Sequence, residues 1–181
     1  MLLLASVALV ILLAVLGYRD TLAMVALTDA RKQTRETLLT MERTLSLLKD
    51  AETGQRGFLL TGEEAYLEPY HTALAGFGNE YQKMSTILAT DPLQTERLRA
   101  LDGLVARRFA IFRNNVEQRR SAGLPAGVAS IKTGEGKSTM DAIRAIFARI
   151  EADKRNTIAQ YDVKVVRVKA RQFQLALWLP G

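Results

Sequence analysis

The first sixteen residues, Met1 to Leu16, are apolar except for Ser6, and they close on Gly17, Tyr18 and Arg19. An aromatic and a cation at the end of such a run are the anchors expected at lipid headgroups. A cleavable signal peptide would show a basic start, a core of about 7 to 15 residues and a small-x-small cleavage site, none of which is clear here. At about 1.5 Å per residue the run through Tyr18 covers about 27 Å, close to the ~30 Å hydrocarbon core. Residues 1–18 therefore read as an uncleaved transmembrane helix.

The other end mirrors this. Phe173 to Leu179 is apolar apart from Gln174, carries the single tryptophan, Trp178, and stops at Pro180 and Gly181. Residues 173–181 read as the start of a second membrane helix, with Lys164, Arg167, Lys169 and Arg171 as a juxtamembrane basic segment. The net charge of +6 is thus assigned to a membrane surface. Aromatics interleaved with the cations, as base stacking needs, are missing, so nucleic acid is not an expected partner.

Between these ends the apolar residues recur at three- and four-residue spacing, which predicts an all-α chain. Leu38, Met41, Leu45 and Leu48 form one stripe, and Phe77, Tyr81, Met84 and Leu88 a second. Leu98, Leu101, Val105, Phe112 and Val116 form a third; Met140, Ile143, Phe147 and Ile150, continued by Tyr161, Val165 and Val168, form the fourth. Such stripes are bundle seams.

The punctuation gives helices over about 20–60, 63–90, 92–122 and 139–172. Thr61-Gly62-Glu63-Glu64 fits a capping box, and Asp91-Pro92 places a capping aspartate before a proline at the first helical position. Ser138 with Asp141 offers a third start, and Gly123 to Gly136 reads as a long loop or a loop with a short extra turn. Pro69 falls inside the second helix and should bend it.

Two ends entering one membrane face require an even number of antiparallel helices. The expected architecture is an elongated antiparallel four-helix bundle, residues 19–172, with both membrane helices at the same end. Helix one, at about 60 Å, outruns the ~42 Å of helix two. The leftover membrane-proximal part contains only helices one and four, and a homodimer would complete a second four-helix bundle there.

Chemistry is sparse. With no cysteine and one histidine, most zinc sites and thiol or imidazole catalysis lose their parts. No cofactor, metal or enzymatic activity is expected within the segment. His71 and Glu68 make half of one di-iron ligand set, while Glu63, Glu64 and Glu68 fit helix-start charges. Gly134-Glu135-Gly136-Lys137-Ser138-Thr139 resembles the tail of a phosphate loop, but Ile131 stands where the first glycine belongs and no strand precedes it.

The seam of helix one, extended from Leu48, next lands on Glu52 and Gln55 before reaching Leu59. A carboxylate in a core register needs a cation. Arg56 lies four residues on. Counted from the membrane, Glu52 lies 34 residues beyond Tyr18, while Asp141 and Arg144 lie 32 and 29 before Phe173, all at roughly 44 to 51 Å. Glu52, Gln55, Arg56, Asp141 and Arg144 are therefore a candidate sensing or relay network; its bland counterpart is an ion cluster that only fixes register.

The run Asp50-Ala51-Glu52-Thr53-Gly54-Gln55-Arg56-Gly57-Phe58-Leu59-Leu60-Thr61-Gly62, followed by Tyr66-Leu67-Glu68-Pro69-Tyr70, resembles the type-three CHASE domain. These are extracellular sensory domains associated with cyclases and histidine kinases in bacterial receptors. The likeness continues through Asp91-Pro92-Leu93-Gln94, Arg97-Leu98, Thr133 to Lys137 and Met140 to Arg144, and departs mildly at Phe58, where the pattern often has tyrosine.

The resemblance implies an extracytoplasmic bundle between two membrane helices, feeding a cytoplasmic histidine kinase, cyclase or diguanylate cyclase in the same chain beyond Gly181. It implies no defined ligand. Among its motif positions, Asp50, Thr53, Gly54, Gly57, Tyr66, Pro69 and Tyr70 are expected to be structural. The expected location is the inner membrane, with residues 19–172 periplasmic or extracellular. The cations flanking the membrane run against the positive-inside rule, whose force falls for loops longer than ~60 residues.

Helix one has no proline from Met1 to Leu60, and helix four has neither glycine nor proline from Thr139 to Leu179. Each can run from the bundle into the bilayer and carry a displacement. A membrane-anchored interaction or scaffold bundle without a sensory role has the same sequence features.

Overall fold

The computed structural model describes residues Leu2–Leu177 and is an all-α, four-helix bundle protein. Helix α1 spans Leu2–Thr61, a 3-10 turn covers Glu64–Leu67, and α2, α3 and α4 span Glu68–Leu88, Pro92–Lys132 and Glu135–Leu177. Trp178 to Gly181, part of the second expected membrane segment, lie outside the described residues. The chain divides into two units: residues 1–36 with 153–181, and residues 37–152.

In the first unit α1 holds a helix long and apolar enough to cross a membrane. Its apolar side chains from Val7 to Val15 are largely exposed. The α1 and α4 segments are joined by two ion pairs of opposite polarity: Asp20 with Arg171, and Arg31 with Asp162. From the first pair to the second the α1 partner advances from Asp20 to Arg31 while the α4 partner retreats from Arg171 to Asp162, so the two segments run antiparallel.

The second unit holds the core. One cluster joins Met41, Leu48, Phe77, Met84, Leu88, Leu98, Leu101, Val105, Met140, Ile143, Phe147 and Ile150, so all four apolar stripes meet. A second joins Ala51, Phe58, Leu59, Leu67, Tyr70, Ala73, Phe112 and Val116. An aromatic chain, Phe77 to Phe109 to Phe112 to Tyr70, links the two with ring centroids 4.8 to 6.0 Å apart. Its edge-on contacts favour the ring quadrupoles.

The helix ends differ from the sequence expectations in four places. The Thr61 hydroxyl accepts from the Glu63 amide rather than from Glu64, and Glu64 turns outward to Arg120, so no capping box forms. The chain instead tightens into the 3-10 turn, and α2 starts at Glu68 with Pro69 in its first turn. There the proline lacks only an amide hydrogen that has no partner, and it bends nothing. The expected loop over Gly123–Gly136 is mostly helical: α3 breaks at Gly123 (φ 76°, ψ −167°), with Pro125 just after, and continues to Lys132. Finally, α4 starts at Glu135, whose amide meets the Thr133 hydroxyl, and Ser138 lies inside the first turn. Asp91 does cap α3, accepting from the Leu93 amide at 3.1 Å.

Candidate functional site

Residues 50 to 60 of α1 present two buried faces. Ala51, Gly54 and Phe58 lie on one, and Glu52, Gln55 and Leu59 on the other, while Asp50, Thr53 and Arg56 are exposed. The first face is narrow because the Tyr66–Tyr70 backbone crosses it. A Cβ added at Gly54 would lie 2.8 Å from the Tyr70 backbone nitrogen and 2.9 Å from the Tyr66 carbonyl oxygen; one at Gly57 would lie 2.5 Å from the Tyr66 ring. Glycine at these two positions is a requirement of close approach. Tyr70 is buried with its ring edge-on to Phe112, and Pro69 is exposed. Thr53 only returns its hydroxyl to the Lys49 carbonyl.

The second face carries the charge. Glu52 Oε1 lies 2.9 Å from Arg56 Nη2 and 3.2 Å from Arg108 Nη2, and Oε2 lies 3.5 Å from Arg144 Nη2. Arg144 also donates to Asp141 Oδ1 at 3.2 Å, and Lys137 donates to Asp141 Oδ2 at 2.6 Å. The four charged residues picked from the sequence are therefore in one network, and α1, α3 and α4 all contribute to it. Gln55 is a neighbour rather than a member: its Nε2 donates to the Phe112 carbonyl at 3.4 Å.

Arg108 is the member that the sequence reading missed, and it is the most deeply placed cation. Its side chain is 3% exposed against 8% for Glu52, 45% for Arg144 and 53% for Arg56. The guanidinium lies 4.2 Å from the centre of the Phe112 ring, a cation–π arrangement. Burial pulls its pKa down and the Glu52 charge pulls it up; an arginine starts so high that it stays charged. The signal was present: between Val105 and Phe112 the third stripe has a seven-residue gap, and Arg108 fills the seam position inside it.

Outside that network the polar contacts range from exposed ion pairs to buried hydroxyls and amides. Arg120 grips Glu64 with two hydrogen bonds, which hold that carboxyl below the usual range. Within the network, the Lys137 hydrogen bond, aided by Arg144, likewise holds the Asp141 carboxyl below its usual range. Burial, with a hydrogen bond to Asp102, pushes the Tyr81 hydroxyl far up. Arg119 Nε donates to the Leu59 carbonyl at 3.0 Å, a cation serving an orphan acceptor at the end of α1. His71 is exposed and meets the Tyr70 ring edge-on.

A family model described as the CHASE3 domain matches residues 28–162. No curated protein matches the chain. Among solved structures it resembles the sensor domain of the histidine kinase HK9 of Rhodopseudomonas palustris, with a TM-score of 0.63. Sequence identity there is 22%, over 70% of this chain and 98% of that one. At that identity the likeness speaks for the fold.

Proposed function

The chain belongs to the CHASE3 domain family, a family of extracellular sensory input domains, and from that premise we propose that residues 19–172 are the extracytoplasmic input domain of a bacterial transmembrane receptor. The receptor is of the histidine kinase, cyclase or diguanylate cyclase type, with its effector in the cytoplasm, and the segment itself performs no chemistry. It sits in the inner membrane as a homodimer and meets its stimulus outside the cytoplasm.

The observation that carries this reading, beyond the family, is the buried Glu52 shared by Arg56, Arg108 and Arg144. One carboxylate holds three helices, so whatever redistributes its partners changes how those helices pack. A stimulus acts only if it binds two packings with different affinity. α1 and α4 supply residues to both units, and a shift or rotation of these helices is the proposed output. The candidate membrane segment of α1 supports the anchoring.

Orientation is the most direct test. Alkaline phosphatase fused at the exposed Ser121 is expected to be active. Fluorescence at the same position from a reporter that folds only in the cytoplasm would overturn the extracytoplasmic assignment.

A further inference from the structure

The polar layer around Arg108 holds more positive charge than it neutralises. Two carboxylates, Glu52 and Asp141, face four cations, Arg56, Arg108, Arg144 and Lys137. The nearby Glu135 is taken by Arg107 at 2.9 Å. The charge excess has a buried centre: Arg108 is 2% exposed, and its Nε has no hydrogen-bond partner. A buried guanidinium donor left unmade is rare enough to ask what it is kept for.

Beside it is a cavity of about 160 Å³, lined by Gln55, Arg56, Arg108, Asn115, Ser130 and Lys137, together with the Gly134 and Gly136 backbone. Its polar side chains are of donor type, although Ser130 gives its hydroxyl hydrogen to the Gly127 carbonyl and Gln55 one amide hydrogen to that of Phe112. Among the described residues, no carboxylate lines it.

The backbone adds to this. α4 starts at Glu135, whose amide is taken by Thr133, and the positive dipole end of its first turn adjoins the cavity through Gly136 and Lys137. Gly136 lets that turn close on the guanidinium, since an added Cβ would stand 2.6 Å from Arg108 Nη1. Gly134 makes the preceding turn at φ +72°. The Gly134-Glu135-Gly136-Lys137-Ser138 run thus stands at a helix start beside the cavity, without the strand or the room of a nucleotide site. At ~30 Å³ per water the cavity holds the equivalent of about five waters, well short of the several hundred Å³ that larger ligands fill.

We propose that this cavity is an anion site, and that it takes a compact doubly charged oxyanion of the phosphate or sulfate class between Arg108, Lys137 and the first turn of α4. Such an anion draws Lys137 from Asp141 and Arg108 from Glu52, and so couples occupancy to the contacts that hold α1, α3 and α4 together. The inference names a ligand class for the sensory reading and rests on that reading for its purpose. Binding itself is measured without any signalling output.

The test uses the full chain in detergent micelles, titrated with inorganic phosphate, sulfate or succinate against sodium chloride of equal ionic strength. Thermal unfolding and calorimetry are the readouts. Phosphate or sulfate is expected to raise the unfolding midpoint saturably. Lys137→Met removes one charge-assisted hydrogen bond and is expected to weaken binding roughly tenfold or more. Gly136→Ala, which displaces the Arg108 head, should weaken it too. Lys83→Met, which breaks only the exposed pair with Glu80, is the control and should bind as the parent does.

Lys137 is exposed, so its variant reports on the site rather than on folding. The proposal is overturned if neither oxyanion stabilises beyond the chloride control, if both site variants bind unchanged, or if succinate alone binds. An inactive phosphatase fusion with intact oxyanion binding would remove the extracytoplasmic reading and leave the site standing. Active fusion with no binding would do the reverse.

Discussion

Glu52 is buried in a layer between two apolar clusters, and a lone carboxylate there would cost far more than a domain's net stability can absorb. Arg108 makes the position tolerable, and the dependence is mutual, because Arg108 is the more deeply buried of the two. Glu52→Leu therefore does not simply exchange a polar group for an apolar one; it leaves a guanidinium without its nearest counter-charge. The expected loss is about 3–5 kcal/mol, measured by chemical denaturation of the solubilised chain. Adding Arg108→Leu to that variant should restore a large part of it, a coupling that a double-mutant cycle reads directly. A neutral Glu52→Leu would mean that the pair holds nothing. At this scale the sequence was half legible. Glu52 and Gln55 stood out because they interrupt an apolar stripe, and helix counting brought Asp141 and Arg144 level with them. Arg108 interrupts a stripe in the same way, but a pattern built from apolar residues steps over a cation whose long side chain can occupy a seam.

Among the elements, the start of α2 is fixed by what it crosses. Gly54 and Gly57 lie three residues apart on one side of α1, and the Tyr66–Tyr70 segment lies directly on them. Alanine is the better helix former by about 0.5–1 kcal/mol, yet at Gly54 its Cβ would meet backbone atoms, which have no rotamer to retreat into. Gly54→Ala is expected to destabilise by about 1–3 kcal/mol. Gly78, helical and with nothing within 4 Å of an added Cβ, should instead gain about 0.5–1 kcal/mol as alanine. Opposite signs in urea denaturation of the two variants would establish close approach as the reason for Gly54; a stabilised Gly54→Ala would refute it. The helices themselves were legible because their seams repeat over many turns. Their ends were less so. A cap depends on where the chain goes next: Glu64 meets Arg120, fifty-six residues away, and no local motif contains that partner. Gly123 to Gly136 suggested a loop by glycine density, but only Gly123 and Gly134 need positive φ. Gly127 is instead buried, where an added Cβ would lie 2.8 Å from Arg119 Cδ and 3.2 Å from the Leu59 carbonyl oxygen.

For the molecule as a whole, the first unit poses the remaining physical problem, since it consists of one segment of α1 and one of α4. Two helices cover only one side of each other. Asp20 with Arg171 and Arg31 with Asp162 fix their register, and the first pair lies at the level where counting from both ends set Tyr18 against Phe173. The stripe continued by Tyr161, Val165 and Val168 is half-buried, while Leu22, Val25, Val163 and Val166 are exposed. Such residues need cover, and in the proposed homodimer a second copy of the same helix pair would supply it by completing a four-helix arrangement with two-fold symmetry. The chain has no cysteine, so a single Val166→Cys variant carries the only thiol. In oxidised membranes it is expected to form a disulfide-linked dimer at high yield, whereas Ser121→Cys in the second unit should stay largely monomeric. The contrast matters, because random collision would link both exposed positions alike. Monomer alone at position 166 would mean that the apolar face is covered by something other than a second copy, and would remove dimerisation from the proposed mechanism.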